Sequence, residues 1–248
     1  MDRAFREGHL TIDFPTAPFD SALPTIAQTF KVFWAMLPFL ASITLAIYVP
    51  GKLATQLLCE ITGIPFEGVA SYFVNEASSL LLSGLVVPAS IFGLVAWLRT
   101  GRTAPVGECF RWGRRQYGRT LANQIAVEMT VALWGALLII PGIMAMVRLV
   151  FTDTLIAVEG DAVNQPLDRS RQLTQGRRWR IFAVLLPTGL IGMGATFLVL
   201  DRFQAGTHSR IAFALADSLL GIPEQLGTVA ALLMYLGTVQ QRVTKLKP

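Results

Sequence analysis

The chain has 248 residues, of which 53% are hydrophobic and only 15% are charged, against about 25% charged in a soluble globular domain. That is too little polar surface to shell a water-soluble core of this size, so a bilayer is the solvent the composition fits. The net charge of +5 sits in short blocks between apolar runs, a pattern of membrane topology. With no zinc-finger spacing, RNP-like stretch or basic tail beside it, the charge speaks against nucleic acid as a partner.

In chain order, residues 1–28 are polar and mixed and predict a cytoplasmic tail with no cleavable signal peptide. Residues 29–248 predict a single transmembrane domain. Six spans follow: Thr29–Val49, Glu76–Leu98, Thr120–Ile140, Gly142–Val158, Trp179–Leu200 and Pro223–Gln241. Each is near the roughly 20 residues that cross about 30 Å of hydrocarbon, the fourth being the shortest and most polar. Between spans one and two, Leu53, Leu57, Leu58 and Ile61 fall at helical spacing beside Lys52, Gln56 and Glu60. Before span six, Ile211, Leu215 and Leu219 do the same beside Arg210 and Asp217. Both read as short amphipathic helices lying on the outer surface. The expected fold class is therefore all-α, a polytopic transmembrane helical bundle of six spans with short amphipathic interfacial helices.

Spans three and four come from one apolar stretch broken at Pro141-Gly142. Proline lacks the N–H and disfavours helix just before it, and glycine permits a turn. A tight hairpin is the simplest result; a kinked helix followed by a re-entrant segment is the alternative. The hairpin closes the charge count. It puts seventeen Lys and Arg residues on one side, against Lys52, Arg202 and Arg210 on the other, with Arg148 left inside. By the positive-inside rule both termini are then cytoplasmic, in a bacterial-type inner membrane. Cys59 and Cys109 fall on opposite sides, which argues against a disulfide or a metal site. Residues 87–121 and 140–182 share a layout that suggests an internal repeat. Each begins with an apolar residue and a proline, descends through a span, meets a second proline (Pro105, Pro166) and continues as a basic amphipathic segment.

Ionisable residues at membrane depth are costly and face a partner, water or the bundle interior. Glu76, Glu128, Arg148 and Asp153 are such residues. Counting from Pro141 at 1.5 Å per residue, Glu128 lies about 20 Å, Arg148 about 10 Å and Asp153 about 18 Å down. Glu128, Arg148 and Asp153 thus form a candidate polar cluster, either a structural ion pair between spans three and four or a pocket for a headgroup, ion or proton. The cytoplasmic segments interleave Arg111, Arg114 and Arg115 with Trp112, and place Arg169, Arg171, Arg177 and Arg178 near Trp179. Such segments anchor topology, and they also suit binding to anionic inner-leaflet lipid or a membrane-protein partner. No catalytic set is visible: there is no GxSxG, HExxH, P-loop or GxGxxG, and His9 and His208 lack partners at metal spacing. Serines 78, 79, 83 and 90 read as helix-packing residues.

The segments IIPGIMAMVRLVF and PLDRSRQLTQGRRWRIF resemble a group of uncharacterised bacterial six-span membrane proteins. That group is similar to the membrane domain attached to some glycerophosphodiester phosphodiesterases. The residues carrying the resemblance are Pro141, Gly142, Arg148, Glu159, Leu167, Ser170, Leu173, Thr174 and Gly176. It implies a helical membrane domain concerned with membrane homeostasis or support of a partner. No phosphodiesterase barrel accompanies it here, so the hydrolase activity is not carried over. The expectation is a non-enzymatic membrane protein without cofactor or metal, binding lipid or a partner and able to form a homo-oligomer. The alternative is a small transporter or channel-like carrier whose site lies between spans three and four.

Overall fold

The computed structural model describes residues 21–65, 68–204 and 209–246. The predicted N-terminal tail falls mainly in residues 1–20, outside the described residues. The described chain is helical, with no strand: α1 (Ala22–Ile61), α2 (Val69–Thr100), α3 (Val106–Leu137), α4 (Ile139–Leu149), α5 (Thr152–Glu159), α6 (Pro166–Thr174), α7 (Arg178–Gln204) and α8 (Arg210–Leu246). Among the described residues, four helical stretches are long and apolar enough to cross a membrane: Ala22–Ile61, Val69–Thr100, Ile139–Ala162 and Arg210–Gln241.

The bundle is polar inside and apolar outside at many positions. Lys52, Thr29, Thr44, Ser90, Gln116, Thr120, Ser170 and Thr238 are buried, while Leu57, Ile61, Leu133, Leu137, Ile139, Ile140, Leu186 and Phe197 are exposed. Water would penalise that distribution, whereas hydrocarbon rewards it. Several buried hydroxyls donate to the carbonyl one turn back, as Thr29 does to Thr25 at 2.8 Å and Ser218 to Ala214 at 2.6 Å. This is how a lone hydroxyl stays satisfied without water.

Helices α1 and α8 pack antiparallel along their length, with Gly221 against Thr44 and Lys52 against Asp217. The start of α1 and the finish of α8 therefore lie at the same end of the bundle. Helix α2 crosses α1 where Gly93 receives the Phe39 ring: a Cβ on Gly93 would stand 2.0 Å from Phe39 Cζ.

Two expectations are corrected. The outer amphipathic segments are not separate surface helices. α1 runs without a break through Pro50 to Ile61, and α8 begins at Arg210 and carries straight on through Pro223. Their polar faces turn inward and their leucines outward, because a lysine and an aspartate across the α1–α8 contact satisfy each other. The basic stretch after Pro105 is likewise the opening of α3 rather than an independent segment.

The chain does turn between α3 and α4, but at Leu138, whose extended backbone (φ −159°, ψ 139°) separates them. Pro141 sits in the first turn of α4, where its missing N–H costs no helical bond. Gly142 lets the two helices approach: an added Cβ would stand 2.8 Å from Gly135 Cα. Gly142→Val is thus expected to cost about 1–3 kcal/mol through overpacking, read as a lower unfolding midpoint in detergent. Gly107→Ala, which meets nothing within 4 Å, serves as control. Equal midpoints for both variants would refute the close contact.

Candidate functional site

The interior polar groups fall into three layers. At the end carrying the α1–α2 connection, Lys52 is 1% exposed. Its ammonium is 2.6 Å from Asp217 Oδ2, and it donates to Ser79 Oγ at 2.6 Å and to the Asn75 carbonyl at 3.2 Å. An ammonium has three donors, and all three are used. Gln56 adds a bond from Nε2 to Asn75 Oδ1 at 2.9 Å. Outside this set, Arg210 donates to the Ile64 carbonyl at 2.8 Å and ties α8 to the α1–α2 loop.

The middle layer centres on Asp153. Asn123 donates to its Oδ1 at 3.0 Å and Gln124 to its Oδ2 at 3.2 Å. Gln124 Oε1 in turn lies 3.0 Å from Ser83 Oγ. Asn75, Ser79 and Ser83 are spaced by four along α2, so one stripe of that helix faces both charged layers. Beside Asp153 is a cavity of about 560 Å³ walled by α2, α3, α4, α5, α7 and α8. Its walls are mainly Val, Ile, Leu, Met and Gly, and its two carboxylates are Asp153 and Glu224.

The third layer is the basic end. Arg119 donates to the Gly160 carbonyl at 2.7 Å, to Asp161 Oδ1 at 3.1 Å and to the Val163 carbonyl. The Trp112 indole donates to the Ala157 carbonyl at 3.1 Å and its ring stacks on Phe92 with centroids 5.5 Å apart. Tyr235 donates to Glu159 Oε1 at 2.5 Å. Burial pushes the Cys109 thiol up to about 11.

The predicted site residues are placed as follows. Asp153 is inside and lines the cavity, but Glu128 and Arg148 are exposed on the surface. Among the described residues no ion pair joins the three. Asp153 takes its hydrogen bonds from amides on α3 instead, and the Arg148 carbonyl accepts from Ser170 at 2.8 Å. Part of the expected cluster is thus present: Glu128 stays within electrostatic reach of Asp153, while Arg148, on α4 and separated from α5 by the break at Val150–Phe151, joins neither. Of the predicted basic surface, Arg111, Arg114, Arg115, Arg169 and Arg171 are exposed and Arg177 and Arg178 are half-buried. Trp112 is half-buried and holds α3 on α2 and α5 rather than facing outward. Cys59 and Cys109 are both free.

Sequence reasoning missed Lys52, Asp217, Gln56, Asn123, Gln124 and Glu224. The recoverable signal was the Asn75-Ser79-Ser83 stripe, which points a run of small polar groups at one face. The residues that carried the resemblance also find local causes. Ser170 Oγ accepts from the Phe151 N–H at 3.2 Å as it donates to the Arg148 carbonyl, so it bridges the α4–α5 break. Leu173 is buried in the core, Thr174 donates to the Arg171 carbonyl at 3.1 Å, and Gly176 turns the chain into α7 at φ +79°.

Fold and site together define an all-helical protein with a polar interior and four helices suited to crossing a membrane. Residues 66–239 match the model of a domain of unknown function, DUF7847, and the chain belongs to that family. No curated protein and no solved structure matches the chain.

Proposed function

We propose that this is a non-enzymatic six-span protein of a bacterial-type inner membrane, with cytoplasmic termini, that holds anionic lipid against its basic end. The observation that carries the reading is the grouping of exposed Arg111, Arg114 and Arg115 on α3 with exposed Arg169 and Arg171 on α6. Trp179 stands 78% exposed at the start of α7. Arginines near an anionic leaflet contribute about 1 kcal/mol each, and tryptophan prefers the interface. The two passes beyond the four long apolar stretches are α3 and α7, third and fifth of the six in chain order. Leu133, Trp134 and Leu137 of α3 are exposed, as are Leu186, Leu190 and Phe197 of α7, and the sequence from Ile181 to Leu200 holds no charge. Residues Ile139 to Phe182 give the likeness to the membrane domain attached to some glycerophosphodiester phosphodiesterases, which supports a role in membrane homeostasis.

The test is native mass spectrometry of protein purified in mild detergent. Wild type is expected to retain anionic phospholipid. A variant with Gln at 111, 114, 115, 169 and 171 is expected to lose more than tenfold of it, given about 1 kcal/mol per arginine. Unchanged lipid content in that variant would end the proposal. A carrier role is the second reading, favoured by the cavity beside Asp153. It predicts solute flux in liposomes that Asp153→Asn abolishes.

A further inference from the structure

The cavity has a chemical preference that its walls specify. A volume of about 560 Å³ falls within the range of ligand pockets, roughly 300–1,000 Å³. The lining is mostly apolar, from Val87, Ile91, Leu149 and Leu185 among others, and Gly189 and Gly192 keep the α7 wall low. Met146 and Met193 line the cavity and are also 43% and 53% exposed. The cavity therefore reaches the outer surface between α4 and α7, on a face where neighbouring Leu190 and Ile191 are exposed as well.

Its charge is unbalanced. Asp153 accepts only from the neutral amides of Asn123 and Gln124. Glu224 lies within electrostatic reach of Lys52, Asp217 and Glu76. But Lys52 is taken up by Asp217, Ser79 and Asn75, and no ion pair reaches Asp153 or Glu224 among the described residues. Along α8, Glu224 is about 10 Å below Asp217 and about 16 Å from Tyr235, at 1.5 Å per residue. Glu224 lines the cavity but is itself exposed, so its carboxylate stands at mid-depth on an open part of the wall, where a charge needs company. Two carboxylates in a mostly apolar cavity that opens sideways suit a cation with an apolar body.

We propose that this cavity binds a hydrophobic or amphipathic cation. Asp153 and Glu224 face its charge, the apolar walls of α2, α4 and α7 hold its body, and it enters between α4 and α7. The assignment uses the same cavity as the carrier reading but does not require transport. Binding without flux would remove that reading and leave this one standing.

The experiment is equilibrium dialysis of the full chain in dodecyl maltoside against radiolabelled tetraphenylphosphonium. Tetraphenylborate, which has the same shape and the opposite charge, is the control. Saturable binding of the cation, with the anion at least tenfold weaker, is expected. Glu224→Gln and Asp153→Asn should each weaken the cation at least tenfold. Gly192→Phe, which keeps both carboxylates but fills the wall, should weaken it too. Monodisperse elution qualifies each variant, and any one that elutes folded suffices for the comparison. Equal binding of the two ions, undiminished binding in Glu224→Gln and Gly192→Phe, or no saturable binding at all would overturn the proposal.

Discussion

Lys52→Met is expected to destabilise the bundle by about 3 kcal/mol, and adding Asp217→Leu to recover most of the loss. Removing one member of a buried pair leaves its partner uncompensated, at a cost of about 3–5 kcal/mol, whereas replacing both by apolar groups is often neutral. The lower figure applies because Asp217 keeps 23% of its side-chain surface. The single change also leaves the Asn75 carbonyl without its lysine donor and Ser79 Oγ without its charged neighbour. Detergent-resistant unfolding, followed by circular dichroism in a graded sodium dodecyl sulfate series, measures all three proteins on one scale. A Lys52→Met protein as stable as wild type would mean that water reaches the pair. A double variant no better than the single would place the stabilisation in the serine and asparagine contacts.

That pair also shows where sequence reasoning runs out. Helical periodicity found the right faces at Leu53–Ile61 and Ile211–Leu219, but the polar faces, expected to meet water at the membrane surface, meet the neighbouring helix instead. In water the leucines would turn inward; in hydrocarbon the same period places Lys52 and Gln56 inside and Leu57 and Ile61 outside. Periodicity alone carries no sign, and the sign comes from the solvent. Pro50 compounded the error. A proline suggests a boundary, yet α1 continues past it, as helices in apolar surroundings do when neighbours and local adjustment re-satisfy the freed carbonyl.

The α3–α4 turn was legible because Pro141 and Gly142 restrict backbone choices locally. The actual joint falls three residues earlier, since proline is accommodated within a first helical turn. Of the polar cluster, the nearness of Glu128 to Asp153 was legible and the place of Arg148 was not. Depth along a helix can be counted from sequence, but azimuth is lost at a break, and the break at Val150–Phe151 decides where Arg148 points. What bridges that break is Ser170, 19 residues beyond Phe151, a tertiary contact that no local pattern encodes. Glu224 was passed over for a related reason. Beside Pro223 it reads as a span edge, whereas α8 begins fourteen residues before it.

The basic end has its own test, which separates structural arginines from lipid-facing ones. Arg119→Met is expected to cost about 3 kcal/mol, and Arg119→Lys to recover less than half. The guanidinium serves the Gly160 carbonyl, the Asp161 carboxylate and the Val163 carbonyl at once, from two nitrogens. Hydrogen bonds from a charged donor are worth about 1.5–3 kcal/mol each. The Asp161 contact is discounted because that side chain is 71% exposed. Lysine brings charge but not a planar fork, so it cannot span the turn as arginine does. The turn sets the direction in which α5 hands over to α6, and with it the seat of Ser170 against the α4–α5 break. Loosening at residue 119 should therefore raise amide exchange at Phe151 as well as at Val163, two places far apart in sequence. Arg114→Met, on the same helix and exposed, should alter neither. If Arg119→Lys matched wild type in both stability and exchange, point charge rather than geometry would hold this end together.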